Sequence, residues 1–187
     1  MDLGPYFRRE ADYFDRGVRC LAGELAALLP EGPVLAAGLG NRAMTCDAVG
    51  PASIDNLLVT RHMIRAMPRQ FADFRPVAAV CPGVLARTGL EALELVRGAV
   101  ERVRPAAVIA VDALAARDSA LDRGTLGVPV IAVGIPTVVD ADPRAGLFLT
   151  PRDIDQRIRE LGRLLGYGIT LALQPSLTAA DVTALLG

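Results

Sequence analysis

PVAAVCPGVLARTGLEALELVRGAVERVRPAAVIAVDALA, residues 76–115, is the stretch that decides the fold class. It opens on a short apolar run, Val77 to Val80, which Pro82 and Gly83 close. From Gly89 to Arg104 the residues Leu90, Leu93, Val96, Val100 and Val103 recur at helical spacing, until Pro105 stops them. A second apolar run, Ala106 to Ala115, follows at once and carries an acid, Asp112, near its end. Strand, helix and strand at this spacing make a βαβ unit, and such units build parallel sheets with right-handed crossovers. Runs this apolar, with no polar alternation, suit strands covered on both faces.

The same pattern extends outward. Upstream, Phe14, Val18, Leu21, Leu25 and Leu28 mark a helix over Tyr13 to Leu29, broken by Pro30, Gly32 and Pro33. VLAAGLG, Val34 to Gly40, reads as a buried strand, and NRAMTCD as the loop after it. Gly50-Pro51 opens a helix through Ile54, Leu57 and Leu58, whereas Met63 to Arg75 shows no assignable pattern. Downstream, VPVIAVGIP (128–136) gives a fourth strand. Thr150-Pro151 with Asp153 caps a long helix to about Leu173, and Thr178 to Leu186 forms a short one. The expectation is an α/β fold: a three-layer, mostly parallel sheet with helices on both faces, organised as one domain over residues 1–187.

Hydrophobic residues make up 52% of the chain and charged residues 22%, the balance of a packed globular interior. Aromatics are 4% and Trp is absent, so Ala, Val, Leu and Ile must build the core. A net charge of −1 argues against nucleic acid as a direct partner, since phosphate binding needs clustered positive charge. Arg97, Arg102 and Arg104, and Arg152, Arg157, Arg159 and Arg163, have acids interleaved and read as solvated helix faces. The opening MDLGPYFRREADYF has no apolar h-region, and no stretch approaches the ~20 apolar residues of a membrane span. Three widely spaced cysteines, Cys20, Cys46 and Cys81, fit reduced thiols. A cytoplasmic protein without a membrane partner is expected.

Ligands of open parallel sheets bind beyond the carboxyl ends of the strands. Two aspartates fall there: Asp47 in the loop after the first strand, and Asp112 at the end of VIAV. An acid closing so apolar a run is partly desolvated, and two such acids facing each other would share one proton. The pair can then activate a water and protonate a leaving amine. Around it, Gly38 and Gly40 would let the chain turn, Asn41 and Thr45 would orient Asp47, and Gly50-Pro51 would point a helix N-terminus at the acids. The spacing leaves other uses open. Asp47 also suits a helix N-cap, Asp112 can cap a turn, and two acids can equally hold a divalent metal. His62 is the one histidine, which excludes a multi-histidine zinc site and leaves little support for a nucleophilic Cys46 or Cys81. Gly38-Leu39-Gly40 lacks the third glycine of a dinucleotide turn, where Ala43 stands, and no GxSxG elbow occurs. Neither a cofactor nor a resident metal is expected.

Several long blocks resemble one family. GLGNRAMTCDAVGPASIDNLLVTRHM (38–63) and VIAVDALAAR (108–117) resemble the segments around the two catalytic aspartates of the spore germination protease. CPGVLARTGLEALELVRG, TLGVPVIAVGIPTVVDA and LFLTPRDIDQRIRELGRLLGYGITLALQP resemble other blocks of that family, in the same order. The resemblance implies an atypical aspartic endopeptidase with Asp47 and Asp112 as its pair, and a core similar to that of hydrogenase maturation peptidases. It also implies small acid-soluble spore proteins as substrates, action in the spore core during germination, synthesis as a zymogen and a homotetrameric assembly. Three features depart from the family pattern. Its N-terminal portion, with the propeptide, has no counterpart before Val34 beyond one helix, so self-processing is not expected. A glycine-rich stretch with a histidine is missing between Arg117 and Thr125, and Cys46 stands where the family has proline. Two alternatives accompany the peptidase reading: a shortened relative that binds without cutting, and a metal-sensing maturation peptidase.

Overall fold

The apolar runs become strands because each is short, rich in Val, Ile and Ala, and bracketed by residues that cannot continue it. In the computed structural model, which describes residues 11–113, 123–142 and 147–186, they form β1 (Val34–Gly38), β2 (Val77–Val80), β3 (Ala107–Ala113) and β4 (Val130–Ile135). All four are parallel, in the order β2-β1-β3-β4. The register sets Val34 beside both Val77 and Ala107, and Val108 beside Val130. Each expected strand is present with its ends trimmed. Residues 114–122, which include Leu114, Ala115 and most of the shortened stretch after Arg117, lie outside the described residues, as do the first ten residues of the chain.

Along β1 and β3 the side chains alternate between two cores. Val34, Ala36, Ile109 and Val111 face a layer of four helices: α1 (Tyr13–Leu28), α2 (Val49–Asp55), and two C-terminal ones, Ile154–Leu173 and Ala179–Leu186. Leu35, Ala37, Val108 and Ala110 face the other way, against Val96 and Val100 of the helix Ala92–Val103. Burial on both faces is why the sequence shows unbroken apolar runs instead of alternation.

Shorter elements escaped the sequence reading. They are α3 (Arg61–Ala66), α4 (Leu85–Thr88) ahead of α5 (Ala92–Val103), α6 (Arg123–Leu126), and an antiparallel pair, β5 (Val139–Asp142) with β6 (Leu147–Leu149). The two C-terminal helices are then α7 (Ile154–Leu173) and α8 (Ala179–Leu186). Helix α2 ends one residue before Asn56, so Leu57 and Leu58 are buried in the segment after it and not on its face. Asp153 occupies the N-cap of α7, but its carboxylate accepts a bond from Arg157 Nε at 2.8 Å and makes no cap.

The stretch without sequence pattern, between α2 and β2, is fixed by polar groups. Gln174, just past α7, accepts from the Arg75 amide at 3.0 Å and donates to the Arg75 carbonyl at 2.7 Å. The Thr60 hydroxyl accepts from the Val77 amide at 2.9 Å, and Thr170 Oγ1 accepts from the Leu58 amide at 3.1 Å. These buried groups are satisfied pairwise, which explains their presence in an otherwise aliphatic interior.

Helix α7 presses α2 against the sheet at glycines. A Cβ on Gly166 would lie 2.5 Å from the Asn56 carbonyl carbon, and one on Gly162 2.7 Å from Ala52 Cβ. Replacing Gly166 by alanine therefore drives α7 and α2 apart. Urea unfolding of Gly166→Ala should show a loss of about 1–3 kcal/mol, the usual cost of overpacking.

Candidate active site

The chain order places a topological switch between β1 and β3. β1 leads to β2 on one side of the sheet, and β3 leads to β4 on the other. A crevice opens between neighbouring strands whose connections diverge in this way, at their carboxyl ends.

Asp112 is the penultimate residue of β3, registered beside Gly134 of β4, between the buried Val111 and Ala113. It is partly buried, and its Oδ1 accepts from the Ala113 amide at 2.8 Å. Desolvation pushes its carboxyl above the ordinary range; the amide bond opposes that, and the charge of Asp47 adds to it. Asp47 closes a 3-10 turn, Thr45–Asp47, that packs against both β3 and α7. Its Oδ2 accepts from the Asn41 amide at 2.7 Å, and its own amide donates to the Met44 carbonyl at 2.8 Å. Ala48, not Asp47, is the N-cap of α2, so the carboxylate of Asp47 is turned back into its own loop and is not spent on a helix end.

The glycines around the acids are places of close approach. Gly40 adopts φ +110°, and a Cβ there would collide with the Asp47 carbonyl and lie 2.9 Å from its Oδ1. Gly38 sits within β1 with no turn, and its bare face is where the backbone of Gly50 rests. Gly50 in turn lies on the seam of the sheet: a Cβ there would be 2.6 Å from both the Leu39 amide nitrogen and the Val111 carbonyl oxygen. Those two groups are themselves joined by a 2.8 Å bond between β1 and β3. Pro51 follows in the first turn of α2 and is buried.

Asn41 and Thr45 were expected to orient Asp47, and of the two it is Asn41 that bonds it. The backbone amide of Asn41 holds Asp47, while its side-chain Oδ1 accepts from the Ala43 amide at 3.0 Å in an Asx turn. Thr45 is exposed and begins the 3-10 turn. His62 lies on α3, exposed. Thr60, just before α3, bonds Val77 at the amino end of β2. Cys46 and Cys81 follow the carboxyl ends of β1 and β2, across the sheet from His62, so no Cys–His pair forms.

A cleft of about 380 Å³ adjoins this loop, with Gly40, Asn41 and Pro51 on one side and Cys81, Pro82 and Arg87 on the other. Arg42 also lines it and is held by a two-pronged ion pair with Asp55, whose second contact, Nη2 to Oδ1, is 3.0 Å. This cleft is not legible in the sequence, because its walls come from three separate stretches. Among the described residues no group of three or more His, Cys, Asp or Glu is placed to hold a metal ion. No helix among them is long and apolar enough to cross a membrane.

Comparison with known proteins places the chain in a family. The family model for germination protease matches residues 11–120, which include both aspartates. A germination protease of Caldanaerobacter subterraneus is 34% identical over 253 residues, covering 95% of this chain and 78% of the relative. One from Priestia megaterium is 39% identical over 185 residues, covering 79% of this chain and 49% of the relative. Among solved structures, a nickel–iron hydrogenase maturation protease from Thermococcus kodakarensis matches with a TM-score of 0.50 at 17% identity, over 81% of this chain and 98% of that one. At that identity the likeness is one of fold, the fold expected from the sequence.

The raised carboxyl of Asp112 has a consequence for stability. Between its unfolded and folded pKa values the folded state binds more protons than the unfolded state, so stability falls as pH rises through that window. Asp112→Asn removes this penalty and keeps an acceptor for the Ala113 amide. The variant should unfold at higher urea than the parent at pH 7, with the difference shrinking toward pH 3.

Proposed function

The chain belongs to the germination protease family, and on that premise we propose that it is an endopeptidase that hydrolyses small acid-soluble spore proteins through Asp47 and Asp112. The observation that carries this reading is the pairing of two unlike carboxyl environments at one crevice. Asp112 is desolvated at the end of a buried strand, and the charge of Asp47 pushes it further up. Asp47 accepts a hydrogen bond from the backbone amide of Asn41, which fixes its carboxylate in the loop after β1.

In the proposed reaction Asp112 holds the shared proton and Asp47 is the base. Asp47 takes a proton from water as the water oxygen bonds to the peptide carbonyl carbon, and Asp112 donates to the carbonyl oxygen. When the tetrahedral intermediate collapses, the proton on Asp47 passes to the leaving amine as the C–N bond breaks, and Asp112 recovers its own from the hydroxyl. The substrate chain lies along the cleft beside Gly40, which shares its wall with the loop that carries Asp47. Action in the spore core and assembly as a homo-oligomer, tetrameric as in the resemblance, belong to the same proposal.

A second reading has a specific observation behind it. The alignment with the Caldanaerobacter relative spans 253 residues, more than the 187 of this chain, so the relative carries internal segments that this chain lacks. A shortened protein of this family would bind spore proteins without cutting them. The maturation-peptidase reading rests on fold alone.

A gel assay against a purified small acid-soluble spore protein separates these readings. The parent should cleave it, and Asp47→Asn and Asp112→Asn should each lose at least about 100-fold in rate, the usual loss when a positioned acid or base is removed. Undiminished cleavage by both variants would sink the carboxyl pair. A parent that binds but does not cut would establish the second reading.

A further inference from the structure

Strand β4 leaves the sheet at Ile135, one residue beyond Gly134, the register partner of Asp112. Pro136 follows, and then Thr137, on the carboxyl edge of the sheet where both acids lie. Two residues, Ile135 and Pro136, lie between Gly134 and Thr137, three Cα steps with a reach of at most roughly 11 Å. Thr137 is 4% exposed, and its hydroxyl has no hydrogen-bond partner among the described residues.

Among the described residues the other buried polar side chains are all bonded. Ser53 donates to Gly50, Thr60 to Arg75, Thr170 to Gly166 and Gln174 to Arg75. A buried hydroxyl left without a partner is unfavourable, and valine would fill the same space without that penalty. The unpaired hydroxyl belongs to the chain just past β4, two residues beyond Ile135, on the edge of the sheet that carries the acids. That placement fits a partner that arrives with the ligand.

We infer that the Thr137 hydroxyl is a substrate-binding group that donates a hydrogen bond to a backbone carbonyl of a peptide laid across the carboxyl ends of β3 and β4. The inference rests on the peptidase reading for the identity of the ligand, an extended peptide, but not on cleavage itself. A backbone contact of this kind grips any sequence and serves register more than selectivity. The group is buried in the free protein, so contact with the peptide requires it to become accessible.

Two measurements test this. In an Asp47→Asn background, the affinity for a fluorescently labelled spore-protein peptide is compared with and without Thr137→Val and Thr137→Ser. Alongside, urea midpoints of the single Thr137 variants are compared with the parent. Thr137→Val should weaken peptide binding about tenfold while unfolding at the same or higher urea, and Thr137→Ser should bind within about twofold of its reference. Unchanged affinity in Thr137→Val would overturn the inference. So would a Thr137→Val that is less stable than the parent with binding lost in both variants, since the hydroxyl would then have its partner inside the protein. If the unsubstituted chain binds the peptide but does not cut it, the peptidase reading fails while Thr137 is still judged by affinity. If no variant binds the peptide, the inference falls as well.

Discussion

The arrangement depends on one backbone contact, the seating of Gly50 on the seam between β1 and β3. There is no room for a Cβ between Gly50, the Leu39 amide and the Val111 carbonyl, nor between Gly38 and the Gly50 backbone. Helix α2 is therefore set down on the sheet where its two central strands meet. From the opposite side α7 holds it there, backbone to backbone, through Gly162 and Gly166. Asp47 lies three residues before Gly50, so the same contact carries its carboxylate to the end of β3. Any side chain at Gly50 would lift the loop and part the two acids.

Given that seating, the electrostatics follow from surroundings. Asp112 extends a strand whose preceding residues are fully buried, and it loses hydration for that reason. Asp47 stands in a loop whose own amide, from Asn41, supplies the bond that water would otherwise make. One sheet edge thus holds two carboxyls in unlike settings, close enough for the charge of one to act on the other. Ionising Asp112 works against folding, because its carboxyl is held above the ordinary range in the folded chain. The unpaired hydroxyl of Thr137 on the same edge is a second local cost of this kind.

Much of the fold was legible because burial on both faces writes itself into sequence as unbroken apolar runs. Helices α1, α5 and α7 were legible because each is long enough to show a helical period. The one-turn helices α4 and α6, and the short α3, were not: four to six residues cannot display a period. Nor was the β5–β6 pair, whose strands of four and three residues read as the tail of the preceding block. Within the site, Asp112 stood out as an acid ending an apolar run, but only family resemblance linked it to Asp47. Gly50 before Pro51 reads as a helix opening, and nothing local announces that it touches two strands. The bond from Asn41 to Asp47 comes from a backbone amide, which leaves no mark on residue choice.

The central claim is that the charge of Asp47 bears on the Asp112 carboxyl, and carbon NMR of that carboxyl tests it most directly. The signal should be followed through pH in the parent and in Asp47→Asn. Asp112 should titrate above the ordinary aspartate range in the parent. In the variant it should move down without returning fully, because desolvation remains when the neighbouring charge is gone. A titration of Asp112 that is the same in both proteins would mean that the two carboxyls do not sense each other, and the paired-acid site would be wrong.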